Sequence, residues 1–239
     1  MAAFLLVHGA CHGAWCWRDL LPELRALGHE ARAIDLPSHG ADTTPYQDVT
    51  LDLYASALHA ALTTFDTPPV LVGHSMAGYP ITLVAEQHPH LVQHLVYLCA
   101  YVPKPGLSLS QRRMEAKTQP LLAAIHPSAD RKGWFADPAK LTALFYNTSP
   151  PGTADYARPR LTIQSTAPTA VPVHTTARYD NVARSYIRCS LDQTIPPDFQ
   201  IEMTQDWPCD QIVTMECDHS PFFSAPQLLA HHLDHIAKG

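Results

Sequence analysis

The chain has 239 residues, 46% of them hydrophobic and 16% charged, which suits one core of ordinary domain size and excludes a disordered chain. A second full-sized domain is not expected at this length. The formal charge is −6, with 16 Lys and Arg and no basic run, so there is no electrostatic footprint for nucleic acid or an anionic lipid surface.

The start, Met1-Ala2-Ala3-Phe4, runs straight into apolar residues without the basic region and cleavage site of a secretion signal. No apolar run reaches the length of a membrane span. Six cysteines (Cys11, Cys16, Cys99, Cys189, Cys209, Cys217) are scattered without a CxxC pair, which predicts reduced thiols and a cytoplasmic location.

In chain order, short apolar runs alternate with amphipathic stretches, the pattern of buried parallel strands separated by helices. Strands are predicted at Ala3 to Val7 and Glu30 to Ile34, with a helix from Trp15 to Leu27 between them that Gly28 ends. A helix at Leu51 to Leu62 follows, then a strand at Val70 to Val72, a helix at Met76 to Gln87 and a strand at His94 to Cys99. From about Pro103 to Asn181 the alternation fails and proline, threonine and alanine cluster, as in Pro150-Pro151-Gly152. This stretch (103–181) is predicted to be a lid inserted into a core made of 1–102 and 182–239. Strands at Ser185 to Cys189 and Ile212 to Met215 and a final helix at Ala225 to Ala237 complete the core. The expected fold is α/β: one domain with a mostly parallel sheet of about six strands flanked by helices.

The chemistry is concentrated where Val70-Leu71-Val72 leads into Gly73-His74-Ser75-Met76-Ala77-Gly78 and then a helical stretch. Strand, sharp turn and helix form the context a nucleophile elbow requires, with small residues two positions before and after the serine so that backbones can approach. At the start of a helix, the Met76 N–H and the helix dipole can stabilise a developing oxyanion. His8-Gly9-Ala10, directly after the first strand, can bring the Ala10 N–H to the same place as a second donor. His8 itself is read as a residue that holds this loop.

In this chain order the acid and base come later. Asp192 follows the strand Ser185 to Cys189 and His219 follows the strand Ile212 to Met215, so both sit at the carboxyl edge where open α/β sheets carry their sites. Asp192 has a competing structural use, capping a helix that starts near Pro196. Asp218 is the rival acid, ranked lower because a residue next to the base in the chain usually points away from it. Ser75 as nucleophile, His219 as base in its neutral form and Asp192 as orienting acid would give an acyl-enzyme mechanism. Among 15 histidines, His231 and His235 are four apart on the last helix, but no third ligand or H-E-x-x-H accompanies them, so no metal is expected.

The stretch from His8 to Trp17, the elbow, Asp192 with Ile195-Pro196, and Asp218-His219 together resemble the plant methylesterase and hydroxynitrile lyase branch of α/β-hydrolases and its bacterial esterase relatives, including pyrethroid hydrolases. Ser220-Pro221-Phe222-Phe223-Ser224-Ala225-Pro226 is similar to the segment after the histidine in the pyrethroid-type esterases, and Gln164-Ser165-Thr166 points the same way more weakly. The resemblance implies a cofactor-free carboxylesterase with Ser75, Asp192 and His219 as triad and the Ala10 and Met76 N–H groups as oxyanion hole. Ala77 departs from it, standing where the branch has glycine, and Pro80 removes a backbone donor early in the elbow helix. Hydroxynitrile lyases of the branch have threonine in place of Ala10 and lysine in place of Ser220, so cyanohydrin cleavage is disfavoured.

The bulky residues His12, Trp15, Tyr101, Trp134, Phe145, Tyr146, Phe222 and Phe223 are expected near the pocket, although each could equally be core. They predict a small apolar or aromatic ester as substrate and partner, with charged substrates disfavoured because the lid offers few obvious anchors. A small-ligand binding protein on the same fold, or a lactone, thioester or amide hydrolase, stays open at this point. So does oligomeric state, with room for a homodimer.

Overall fold

In the computed structural model, which describes residues 1–239, the apolar runs become short strands. These are β1 (Ala3–Val7), β2 (Glu30–Ile34), β3 (Val70–His74) and β4 (His94–Leu98). After an insertion carrying β5 (Ile125–Pro127), β6 (Gly133–Ala136) and β7 (Gln164–Ser165), the main sheet resumes with β8 (Arg184–Cys189) and β9 (Ile212–Met215). Every residue of β1 and β3 is buried, as strands covered on both faces require.

The main sheet has six strands in the order β2-β1-β3-β4-β8-β9, and every pairing is parallel. All six carboxyl ends therefore lie on one edge, and the order turns outward in both directions from β1 and β3. Crevices for ligands form at this edge. Apolar side chains of alternate strand residues supply two cores, with Leu5, Leu71 and Leu95 on one face and Phe4, Val70, Val72 and Val96 on the other.

Two helices differ from the sequence expectation. The stretch from Trp15 to Leu27 is broken into a 3-10 turn Ala14–Arg18 and a helix Leu20–Ala26. Pro22 explains the break: without an N–H it is tolerated in a first turn but not deep inside a continuous helix. The elbow segment divides likewise into a 3-10 turn Ser75–Ala77 and a helix Gly78–Gln87, so Pro80 falls in a first turn whose N–H groups would lack helical partners anyway.

The insertion between β4 and β8 carries its own antiparallel sheet in the order β5-β6-β7, together with short helices that include Leu109–Arg113 and Leu141–Phe145. Its end is tied to the core: the Glu86 carboxylate accepts from Thr176 N and Oγ1 at 2.8 and 2.6 Å and from Tyr179 N at 3.2 Å. No helix is long and apolar enough to cross a membrane. All six cysteines are free thiols.

Candidate active site

At the end of β3 the chain reverses through Ser75, which has φ = 56° in the left-handed region that side-chain-bearing residues avoid. The surroundings hold it there. A Cβ on Gly73 would lie 2.6 Å from Ile81 Cδ1, and one on Gly9 would lie 2.8 Å from Ser75 Cβ, so both glycines permit the close approach. Ala77, by contrast, has φ = −63° and an ordinary right-handed conformation, so its methyl group is accommodated in the core and nothing at this position demands glycine. The loop leaving β4 braces the turn, because the Tyr101 N–H donates to Ser75 C=O at 3.1 Å.

The ends of β8 and β9 bring Asp192 and His219 together, both essentially buried, with His219 Nδ1 2.7 Å from Asp192 Oδ2. The carboxylate accepts there, so Nδ1 carries the proton and the Nε2 of the neutral ring is left with its lone pair. Asp192 is itself fixed: Oδ1 accepts from the Thr194 and Ile195 N–H groups at 2.6 and 2.9 Å, and Oδ2 accepts from Gln200 Nε2 at 2.9 Å. The helix Pro197–Met203 has Pro196 at its N-cap and no side-chain cap, so Asp192 does not cap it.

Asp218 is buried but directed elsewhere. It accepts from Thr148 N and Ser149 Oγ of the insertion at 2.9 and 2.8 Å, and from Ser220 N and Ser224 Oγ of the core at 3.0 and 2.8 Å. It joins the insertion to the core and makes no bond to the histidine ring.

His74 and Cys99 clasp the backbone of His219, His74 Nε2–H donating to its carbonyl at 2.7 Å and the Cys99 thiol at 3.5 Å. Ligand atoms of His74, Cys99 and His219 all lie within 4.8 Å, close enough to be tested as a metal site. Each ring is held through one nitrogen, His219 Nδ1 by Asp192 and His74 Nε2 by the His219 carbonyl, and the third group is a poor ligand as it stands, because the Cys99 thiol donates to that carbonyl and burial pushes it up to about 12, whereas a metal takes the thiolate. Burial also holds the His74 imidazole well below its ordinary value. His231 donates to the Gln227 carbonyl of its own helix at 2.7 Å.

Between the sheet edge and the insertion lies a cavity of about 220 Å³. Its floor is Ala10, Ser75, Met76 and Tyr101. Leu109, Leu121, Ile125 and Trp134 make an apolar wall, and Ser110, Arg113, Thr166 and Thr169 a polar one. The Ala10 N–H donates to no protein group. Part of the Ala10 loop is held by the insertion, since Thr162 N–H donates to Cys11 C=O at 2.9 Å.

Of the eight bulky residues expected at the pocket, Tyr101 and Trp134 line it. The other six do not: His12, Trp15, Phe145, Tyr146, Phe222 and Phe223 pack into an aromatic block beside the site. His12 stacks on Trp15 at 5.3 Å, Tyr146 Oη donates to His12 Nε2 at 2.7 Å, and Phe145 lies 5.9 Å from the His219 ring. Phe222 packs on Trp17 and His74 at 4.8 and 5.0 Å, and Phe223 on Phe222 at 5.1 Å. Their apolar surface is satisfied by one another, which is why it does not face the cavity.

Sequence reasoning missed Gln200, which orients Asp192, and the polar wall. The second had a signal: Ser108 and Gln111 form a reciprocal capping box that starts the helix Leu109–Arg113, and Ser110 and Arg113 are three apart on one face of it.

A family model described as the alpha/beta hydrolase family matches residues 4–232. The chain belongs to this family. Methylesterase 7 of Arabidopsis thaliana is 33% identical, the match covering 98% of this chain and 95% of that protein. Methyl jasmonate esterase 1 of Vitis vinifera is 32% identical, with 98% and 96% covered. Among solved structures, a pyrethroid hydrolase from Sphingobium faniae JZ-2 superposes with a TM-score of 0.90 at 26% identity, covering 100% of this chain and 98% of that one. This alpha/beta hydrolase therefore falls in the plant methylesterase branch and its bacterial relatives, and is a carboxylic ester hydrolase.

Proposed function

We propose that this hydrolase is a serine carboxylesterase acting on small, largely apolar or aromatic esters through an acyl-enzyme on Ser75. The reading is carried by one observation: His219, its Nδ1–H held at 2.7 Å by the anchored Asp192, shares the sheet edge with a strained serine that opens into a cavity. In the proposed mechanism Ser75 Oγ attacks the ester carbonyl carbon while His219 Nε2 takes its proton. The oxyanion is met by the N–H groups of Ala10 and Met76. His219 then returns the proton to the departing alcohol, and water, deprotonated by the same nitrogen, hydrolyses the acyl-enzyme to acid and free serine.

The size of the cavity supports a small substrate, since about 220 Å³ is below the roughly 300–1,000 Å³ of drug-sized ligand sites. The methylesterase relatives support a small alcohol. Leu121, Ile125 and Trp134, all from the insertion, support an apolar acyl body and give 103–181 the role of a lid that completes the pocket. The test is pre-steady-state hydrolysis of p-nitrophenyl butyrate. A burst of p-nitrophenol stoichiometric with protein is expected, together with a loss of about 10³-fold or more in Ser75→Ala. A folded Ser75→Ala variant with undiminished turnover would overturn the reading.

A further inference from the structure

The cavity wall contains a single charged side chain, Arg113. It lacks a counter-ion. The nearest carboxylate in sequence, Glu115, is taken by Lys104 at 2.6 Å and by Arg112, and Arg112 is drawn away over the Phe199 ring and toward the Val102 carbonyl. Arg113 Nε is buried and has no hydrogen-bond partner. A guanidinium beside a cavity, stripped of water at one nitrogen and unpaired, is an unmet demand for an acceptor.

The neighbouring hydroxyls do not meet it from within: none of them accepts from Arg113, and each is turned to another partner. Ser110 donates to Thr169 at 3.0 Å, Thr169 to the Thr166 carbonyl at 2.9 Å, and Thr166 to the Lys132 carbonyl at 2.9 Å. In the polar wall the Arg113 guanidinium is therefore the one cationic donor left for a ligand, facing a cavity whose floor holds the Ser75 hydroxyl. The same cavity is lined by Leu109, Leu121, Ile125 and Trp134, and Tyr101 is close enough to Arg113 that the cation offsets part of the upward shift burial imposes on its phenol.

Resting on the esterase reading, we propose that Arg113 selects esters carrying a second, ionised carboxylate at the end of the acyl chain remote from the scissile bond. Such a half-ester of a dicarboxylic acid places its carbonyl at Ser75, its methylenes along the apolar wall and its carboxylate on the guanidinium, whose planar fork matches two oxygens. This reverses the sequence expectation that charged substrates lack an anchor: a lone arginine on a short helix is indistinguishable by sequence from a solvated surface charge.

Monomethyl adipate and methyl hexanoate, differing in the terminal group, form the test pair. The ratio of their kcat/KM values is expected to fall by about 10- to 100-fold in Arg113→Gln, with Arg113→Lys intermediate because the charge survives without the fork. A ratio that does not change, or an equal loss on both esters, overturns the proposal. If the natural chain cleaves neither ester, calorimetric binding of monomethyl adipate to Ser75→Ala and to Ser75→Ala/Arg113→Gln decides. Binding that depends on Arg113 upholds the carboxylate site while the esterase reading falls, and binding that is absent or indifferent to Arg113 overturns the site itself.

Discussion

Asp192 has more to do than accept one proton-bearing nitrogen, and this makes it the most informative single residue. Its Oδ1 closes a turn through the Thr194 and Ile195 N–H groups, while Oδ2 is shared by His219 and Gln200. Asp192→Asn can keep the turn with its carbonyl oxygen, but its NH₂ then faces two donors. On the proposed mechanism the imidazole is driven to the opposite tautomer, with the proton on Nε2, and cannot accept from Ser75. The expected result is a fall in kcat of about 10³- to 10⁴-fold with p-nitrophenyl butyrate, and a stability loss of about 1–3 kcal/mol by urea unfolding. A kcat within about tenfold of the natural chain would remove Asp192 from the orienting role. The positions of Ser75, Asp192 and His219 at the sheet edge were legible because each comes within a few residues of the end of a strand. The aromatic neighbours were not, because an aromatic side chain fits a core or a pocket equally well and only packing decides.

Among the elements, the contact between the helix Gly78–Gln87 and the loop leaving β4 sets the elbow. A Cβ on Gly78 would meet the Tyr101 carbonyl at 2.0 Å, backbone that cannot swing aside. Gly78→Ala must push helix and loop apart, moving the segment whose N–H holds the Ser75 carbonyl. It is expected to lose about 2–4 kcal/mol in urea unfolding and much of the activity. Ala77→Gly, at an ordinary right-handed position, should cost about 1 kcal/mol and leave the serine in place. Equal stability of Gly78→Ala and the natural chain would contradict this close packing. Short runs rich in apolar residues, continuous in β1 and mixed with polar residues in β2 and β8, made the six main strands readable. β5, β6 and β7 were not readable, because they span only two to four residues, too short for alternation to register, and because their pairing partners lie in other parts of the insertion.

For the molecule as a whole, three buried imidazoles couple folding to pH. His8 donates through Nδ1 to Gly9 C=O and accepts at Nε2 from Leu36 N–H; His12 donates to Ala10 C=O and accepts from Tyr146; His74 has a bare, unpartnered Nδ1. Each ring needs one nitrogen without a proton, and burial lowers all three, His12 to about 4. The unfolded chain takes up protons below about 6.5 that the folded chain refuses, so stability falls as pH drops through that value and gains nothing above it. Urea midpoints should be level between about pH 8 and 7 and decline by about pH 5, where most carboxylates are still ionised, each ring contributing up to about 1.4 kcal/mol per pH unit. A level midpoint down to that pH would mean these rings are not held neutral. The convergence of three strand ends on one reactive hydroxyl is tested most directly by covalent capture. Treatment with diethyl p-nitrophenyl phosphate followed by peptide mass spectrometry should show stoichiometric phosphorylation at Ser75, in step with loss of esterase activity, absent in Ser75→Ala and slowed in His219→Ala. Stoichiometric labelling at another residue, or full activity in protein completely labelled at Ser75, would contradict it.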